Sequence, residues 1–231
     1  MDARRILAGV AVGDLGRMLV ETGALQFGKF KLSSGKQSSY YVDLRLIPSF
    51  PEIFDKVVSM YRDLFALSIG LKHVDAIAAV PIAGMSYASV LAHELRKPLV
   101  WVRREKKQFG SPRSIEGIIP SGARIVILDD LITTGDSIIA SAETLRSEGG
   151  LVSDAIVLID RMEGGIDLAG KNNIKVHALV GITEIARALV ELQIIDENQY
   201  ISIQQQSTGV AVSYIIKLRC SRLLCRLFTA R

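Results

Sequence analysis

The chain has little of what several common kinds of site require. It holds two cysteines, Cys220 and Cys225, both in its last stretch. A disulfide framework or a cysteine-built zinc site needs more of them, spread through the fold, so neither is expected. No apolar run approaches the ~20 residues that cross a bilayer, and no membrane partner is expected. Arg4 and Arg5 near the start are followed by Asp14, Arg17 and Glu21 without a long apolar core between them, so no secretory signal is read and a cytoplasmic location is expected. Internal repeats and low-complexity tracts are lacking. So is a strong charge of either sign: the net charge is +4, which does not by itself point to nucleic acid, because a protein that handles several phosphates also needs cations.

What is present is ordinary globular material. A hydrophobic share of 49% with 23% charged residues supplies a full core for one substantial domain. Helical spacing over 3–23 (interrupted at Gly13), 51–67, 86–95, 138–147, 182–192 and 196–206 alternates with short apolar, β-branched runs at 75–80, 98–102, 122–128, 152–159 and 175–180. Residues 27–45 read as a hairpin, with a Ser-Ser-Gly turn between alternating strands. Strands alternating with helices predict an α/β domain with a mainly parallel central sheet flanked by helices. The domain is expected over 1–206, with a small N-terminal hood over about 1–48, and 207–231 form an extension with no legible role.

The chain is organised around residues 126–137. The apolar run ends in Asp129 and Asp130, then Leu131, Ile132, Thr133, Thr134, Gly135, Asp136 and Ser137 lead into a helix. In an open α/β sheet that junction is where ligands bind. Small residues admit a guest to the backbone, and the unpaired N–H groups of a helix start favour phosphate. Paired carboxylates suit hydroxyl donors. A phosphate cradle beside a hydroxyl clamp describes a ribose phosphate. A second strand-to-helix turn, Pro81, Ile82, Ala83 and Gly84, has the same small-residue character and offers backbone N–H groups to another phosphate, although an ordinary structural turn reads as well.

Two further stretches carry charge. Residues 103–117 follow a strand with Arg103, Arg104, Lys106 and Lys107, lack apolar periodicity and end in Gly, Ser and Pro, the character of a long lid-like loop. Asp160-Arg161 closes the strand at 152–159, and an arginine there offers a bidentate fork to a carboxylate.

In its strand-end motif the chain resembles the type I phosphoribosyltransferases, which bind phosphoribosyl pyrophosphate (PRPP). The hairpin, the 103–117 loop and Asp160-Arg161 narrow the resemblance to the orotate phosphoribosyltransferases. The resemblance spans roughly 27–165 and implies the type I phosphoribosyltransferase fold and the reaction of orotate with PRPP to give orotidine 5′-monophosphate and pyrophosphate, in pyrimidine synthesis. It implies PRPP contacts from Arg103, Arg104, Lys107 and residues 129–137, and a pyrophosphate loop at 81–84. Orotate contacts are implied for Thr133, Arg161, Tyr41 and Val42, with Arg161 gripping the carboxylate. The catalytic set it implies is Arg103, Lys107, Asp129 and Asp130. Mg²⁺ enters with PRPP, with Asp129 and Asp130 as candidate ligands. A homodimer is implied, its 103–117 loop reaching the partner's site. Three positions depart from the family pattern: Ser33 stands at a common lysine position with Lys36 three residues on, Arg104 replaces a lysine, and Phe109 replaces a histidine. Two other readings remain open, a purine phosphoribosyltransferase and a PRPP-sensing RNA-binding regulator that uses the basic tail.

Overall fold

The computed structural model describes residues 11–31, 37–103 and 114–208. Its first helix, α1 (Ala11–Glu21), buries Leu15, Met18 and Leu19. The expected interruption at Gly13 does not occur; the helix runs through Gly13 and Gly16, whose missing side chains let Leu192 and Leu189, just past a later helix and at its end, come close. Strands β1 (Leu25–Lys31) and β2 (Gln37–Val42) form a separate antiparallel hairpin, in which Ser38, Tyr40 and Val42 alternate inward. A 3-10 turn, Leu44–Ser49, leads to α2 (Pro51–Ser68), which opens on a proline suited to a first helical position and buries Val57, Val58, Tyr61, Leu64 and Phe65.

The main sheet begins with β3 (Ala76–Ala79), followed by α3 (Ala83–Glu94), β4 (Leu99–Val102), β5 (Ile115–Glu116), β6 (Arg124–Leu128) and β7 (Leu131–Ile132). Then come α4 (Asp136–Ser147), β8 (Leu151–Asp160), α5 (Gly165–Lys171), β9 (Lys175–Gly181), α6 (Ile182–Glu191) and α7 (Glu197–Thr208). Strands pair in the order β5-β4-β3-β6-β8, and only the β4–β5 pair is antiparallel. The ten-residue β8 binds β9 along one edge and both β6 and β7 along the other, so β7 resumes the line of β6 after a break.

Successive residues of these strands face opposite cores, as a parallel sheet covered on both sides requires. Ile77, Ala79, Val126, Leu128, Ile156 and Leu158 pack toward α1, α2, α3 and α6. Ala76, Ala78, Ile125, Ile127, Ala155 and Val157 pack toward α4 and α5. Helix α7 returns to the hairpin: the Gln206 amide nitrogen donates to Ser38 Oγ over 2.8 Å and its oxygen accepts from the Ser39 N–H at 3.2 Å. The helix continues to Thr208, past the expected boundary at 206, and Ser207 is buried.

Helices α3 and α4 start earlier than the expected 86 and 138, at Ala83 and Asp136. That shift places both small-residue turns directly against a helix N-terminus.

Candidate active site

The break between β6 and β7 is where the acidic pair sits. The Asp129 N–H donates to Ile156 O over 3.1 Å, and Asp130 O accepts from the Leu158 N–H at 3.0 Å, so both peptides stay tied to β8. Tyr61, fully buried, donates its hydroxyl to Asp129 O over 2.9 Å; burial holds that phenol protonated far above its usual range. One oxygen of each carboxylate caps a following backbone: Asp129 Oδ1 accepts from the Asp130 N–H and Asp130 Oδ1 from the Leu131 N–H, each at 2.9 Å. Asp129 is buried and Asp130 is half-buried where it lines the cleft. Burial pushes the Asp130 carboxyl above the usual carboxylate range, and the hydrogen bonds from its neighbours only partly offset that.

The turn that follows is fixed by close backbone packing. Gly135 adopts φ +87°, a left-handed conformation that favours glycine, and a side chain there would meet Gly165 O at 2.9 Å. Gly165 in turn has no room for a Cβ, which would lie 2.6 Å from Thr133 O. The turn of 133–135 and the start of α5 therefore lock together, and Thr134 Oγ1 donates to Asp136 Oδ2 over 2.6 Å at the head of α4. The first-turn N–H groups of α4 point into the space in front of them.

Gly84 does the same for the other turn, where the Pro81–Ile82 peptide is cis. A Cβ on Gly84 would stand 2.7 Å from Leu128 O and 3.0 Å from Asp129 Cα, both backbone atoms of the strand carrying the acidic pair. Gly84→Ala is expected to cost about 1–3 kcal/mol through this overpacking. The melting temperature should fall by ~2–4 °C per kcal/mol as the Asp129 backbone is displaced. An unchanged melting temperature would show that the contact is not tight.

These turns border one cleft of about 730 Å³. It gathers Tyr41 and Val42 from β2, Pro81, Ile82 and Ala83, the whole run 129–137, and Arg161. The hood residues, both turns and the Asp-Arg arginine thus converge, although they lie far apart in sequence. Gly84 supports the cleft from behind. Arg161 is 5% exposed, its N–H donates to Ile132 O over 3.0 Å, and its guanidinium lies 4.8 Å from the centre of the Tyr40 ring. Glu163 Oε1 is 3.0 Å from Arg161 Nη2, an ion pair by distance whose angles make no hydrogen bond; Nε, Nη2 and Oε1 are all buried without a hydrogen-bond partner.

Arg103 does not join this cleft within its own chain. Its N–H donates to Ser114 O over 2.9 Å and its guanidinium pairs with Glu116, because the antiparallel β5 brings that carboxylate beside the end of β4. Arg104, Lys107 and Phe109, with Ser33 and Lys36 of the hairpin turn, lie outside the described residues.

Four charged residues of the cleft were not anticipated: Lys31, Asp43, Arg45 and Glu163. Arg45 donates to Asp43 over 2.6 and 2.8 Å and to the Tyr41 hydroxyl over 3.2 Å, and its hydrogen bonds hold the Asp43 carboxyl below the usual range. For Asp43 and Arg45 the signal was the spacing Tyr41, Asp43, Arg45 across the end of β2. A second groove of about 680 Å³ between α1, α6 and α7 contains neither strand-end turn nor the acidic pair. Among the described residues no three His, Cys, Asp or Glu side chains are placed to hold a metal.

A mainly parallel sheet whose strand ends carry two glycine-locked turns and an acidic pair fits the phosphoribosyltransferase class, and the phosphoribosyl transferase domain family matches residues 50–176. Against the orotate phosphoribosyltransferase of Cenarchaeum symbiosum the chain is 46% identical over 171 residues, which cover 74% of this chain and 86% of that one. The crystal structure of orotate phosphoribosyltransferase from Aeropyrum pernix superposes with a TM-score of 0.70 at 34% identity, covering 79% of this chain and 99% of that chain. UMP synthase of Leishmania donovani gives a TM-score of 0.77 at 32% identity over 88% of this chain, which spans 43% of that longer protein. The chain belongs to the orotate phosphoribosyltransferase family.

Proposed function

We propose that the protein transfers the 5-phosphoribosyl group of PRPP to orotate, giving orotidine 5′-monophosphate and pyrophosphate in pyrimidine synthesis. The observation that carries the base assignment is Arg161, a buried guanidinium with two donors lacking hydrogen-bond partners, in the same cleft as the acidic pair and the head of α4. A substrate carboxylate satisfies those donors with a planar two-point contact. Tyr41, Val42 and Thr133 line the base around it.

The other roles follow from charge and hydrogen bonding. The backbone of 133–137 holds the 5′-phosphate at the start of α4, and the turn 81–84 holds pyrophosphate. The Asp129 and Asp130 carboxylates accept hydrogen bonds from the ribose hydroxyls. The deprotonated ring nitrogen of orotate forms the new bond to C1′ as the C1′–oxygen bond breaks, with its electron pair leaving on pyrophosphate. Mg²⁺ fits as a companion of the substrate: Asp129 and Asp130 are hard carboxylates with no third His, Cys, Asp or Glu placed beside them among the described residues, and they would hold the ion together with the substrate's oxygens. When bound it supplies charge neutralisation for the leaving pyrophosphate. In a cytoplasmic homodimer the 103–117 segment reaches the partner's cleft and brings Arg103, Arg104 and Lys107 to that pyrophosphate.

A panel of bases tests this reading. With PRPP and Mg²⁺ present, orotate is expected to be the base that releases pyrophosphate. Release with adenine, guanine or xanthine instead would make the protein a purine enzyme. No release with any base, together with tight, salt-sensitive RNA binding, would favour a regulator.

The raised Asp130 carboxyl gives the binding step a pH signature. Hydroxyl donors need the ionised form, so PRPP affinity should weaken as pH falls, beginning above the range where an ordinary carboxylate protonates. Asp130→Asn should flatten that limb in calorimetric titrations across pH 4 to 8; the same limb persisting in the variant would assign it to another group.

A further inference from the structure

The Arg161–Glu163 contact contains more than a carboxylate receptor needs. The guanidinium is fixed: Tyr40 covers one face, and the peptide N–H is bonded to Ile132. Glu163 differs, because it precedes Gly164, which has φ +91° and only open space where a Cβ would point. A buried carboxylate and guanidinium held by attraction alone, without hydrogen-bond alignment, form an incomplete pair whose desolvation is poorly offset. The donors left unused, Nε and Nη2, form the side-on fork that a planar carboxylate takes with two parallel hydrogen bonds.

We propose that Glu163 is an internal placeholder for the substrate's carboxylate, neutralising Arg161 in the free protein and yielding it when orotate enters. This inference rests on the proposed orotate reaction. Two carboxylates on one guanidinium repel, so the arriving one displaces Glu163 toward the open side of the turn at Gly164. A base without a carboxylate cannot make that exchange and leaves the pair closed. Small anions, including stray phosphate, meet a neutralised guanidinium rather than a free cation. Glu163 therefore weakens orotate binding and in return screens what else can occupy the base subsite.

The test uses the full-length protein with Mg²⁺ and PRPP, comparing wild type with Glu163→Gln and with Glu163→Asp, which withdraws the carboxylate by one carbon. In Glu163→Gln the KM for orotate should fall by roughly fivefold to tenfold, more than any change in kcat. Formate and acetate, as competitors of orotate, should inhibit it more strongly by a similar factor. Glu163→Asp should fall between the two. A KM that stays level or rises in both variants, with formate inhibition unchanged, would mean that Glu163 merely positions Arg161, and the placeholder role would be wrong. Absence of orotate turnover in the wild type would instead overturn the reaction itself, so the two failures are distinct.

Discussion

Replacing Arg161 with alanine is expected to lower kcat/KM for orotate by roughly thirtyfold to a few thousandfold, while PRPP affinity stays within about threefold of wild type. The size follows from what the substitution leaves behind. Truncating one partner of a buried, hydrogen-bonded charge pair costs about 2–5 kcal/mol, and each 1.4 kcal/mol is roughly a factor of ten. Here the orotate carboxylate would lose both donors of the fork, and Glu163 would become an uncompensated negative charge facing the incoming anion. Repulsion then adds to the lost attraction. The turns at 133–137 and 81–84, proposed to hold PRPP, make no hydrogen bond to this guanidinium and should keep their affinity. Arg161→Lys retains the charge without the planar fork and should recover only part of the loss. Steady-state rates for both variants, with calorimetric PRPP binding as the control, decide the matter. Retention of orotate turnover within tenfold in Arg161→Ala would remove the base assignment.

The second large effect belongs to the acidic pair. Asp129→Asn combined with Asp130→Asn should reduce turnover by about 10³-fold or more, since an amide turned toward a ribose hydroxyl offers a donor where an acceptor is needed. Stability should move the other way, or not at all. Because the folded protein raises the Asp130 carboxyl, its ionisation opposes folding: the folded state binds more protons there than the unfolded chain, so stability falls as pH rises through that window. Removing the charge at neutral pH removes that cost. The backbone bonds survive, because an amide oxygen can still accept from the Asp130 and Leu131 N–H groups. A melting temperature equal to or above wild type, beside a large loss of turnover, would mark the pair as retained for binding rather than for the fold. Parallel loss of both would mark it as structural.

Much of this site was readable before any coordinates, and for a physical reason. Apolar runs such as 125–128 must be buried on both faces, and a carboxylate pair with a Thr-Thr-Gly turn at the end of such a run has few uses in a core. What escaped was short or paired across distance. Strands β5 and β7 contain two residues each, below the length at which periodicity can be seen. Helix α5 begins at Gly165 behind Gly164, a pair that reads as a turn, and Gly165 lets Thr133 O approach. Arg103 lies in a charged run that suits a polyanion, yet its side chain meets Glu116 through an antiparallel pairing that no local pattern announces. Asp43, Arg45 and Glu163 look like solvated surface charge until the fold turns them into one cleft.

Orotate consumption, followed by its ultraviolet absorbance with PRPP and Mg²⁺ each present or omitted, tests the central claim most directly. Loss of absorbance that requires both additions, matched by pyrophosphate release, is the predicted result. Undiminished orotate in the complete mixture, with PRPP still bound by calorimetry, would contradict it and leave a phosphoribosyl site that serves another acceptor.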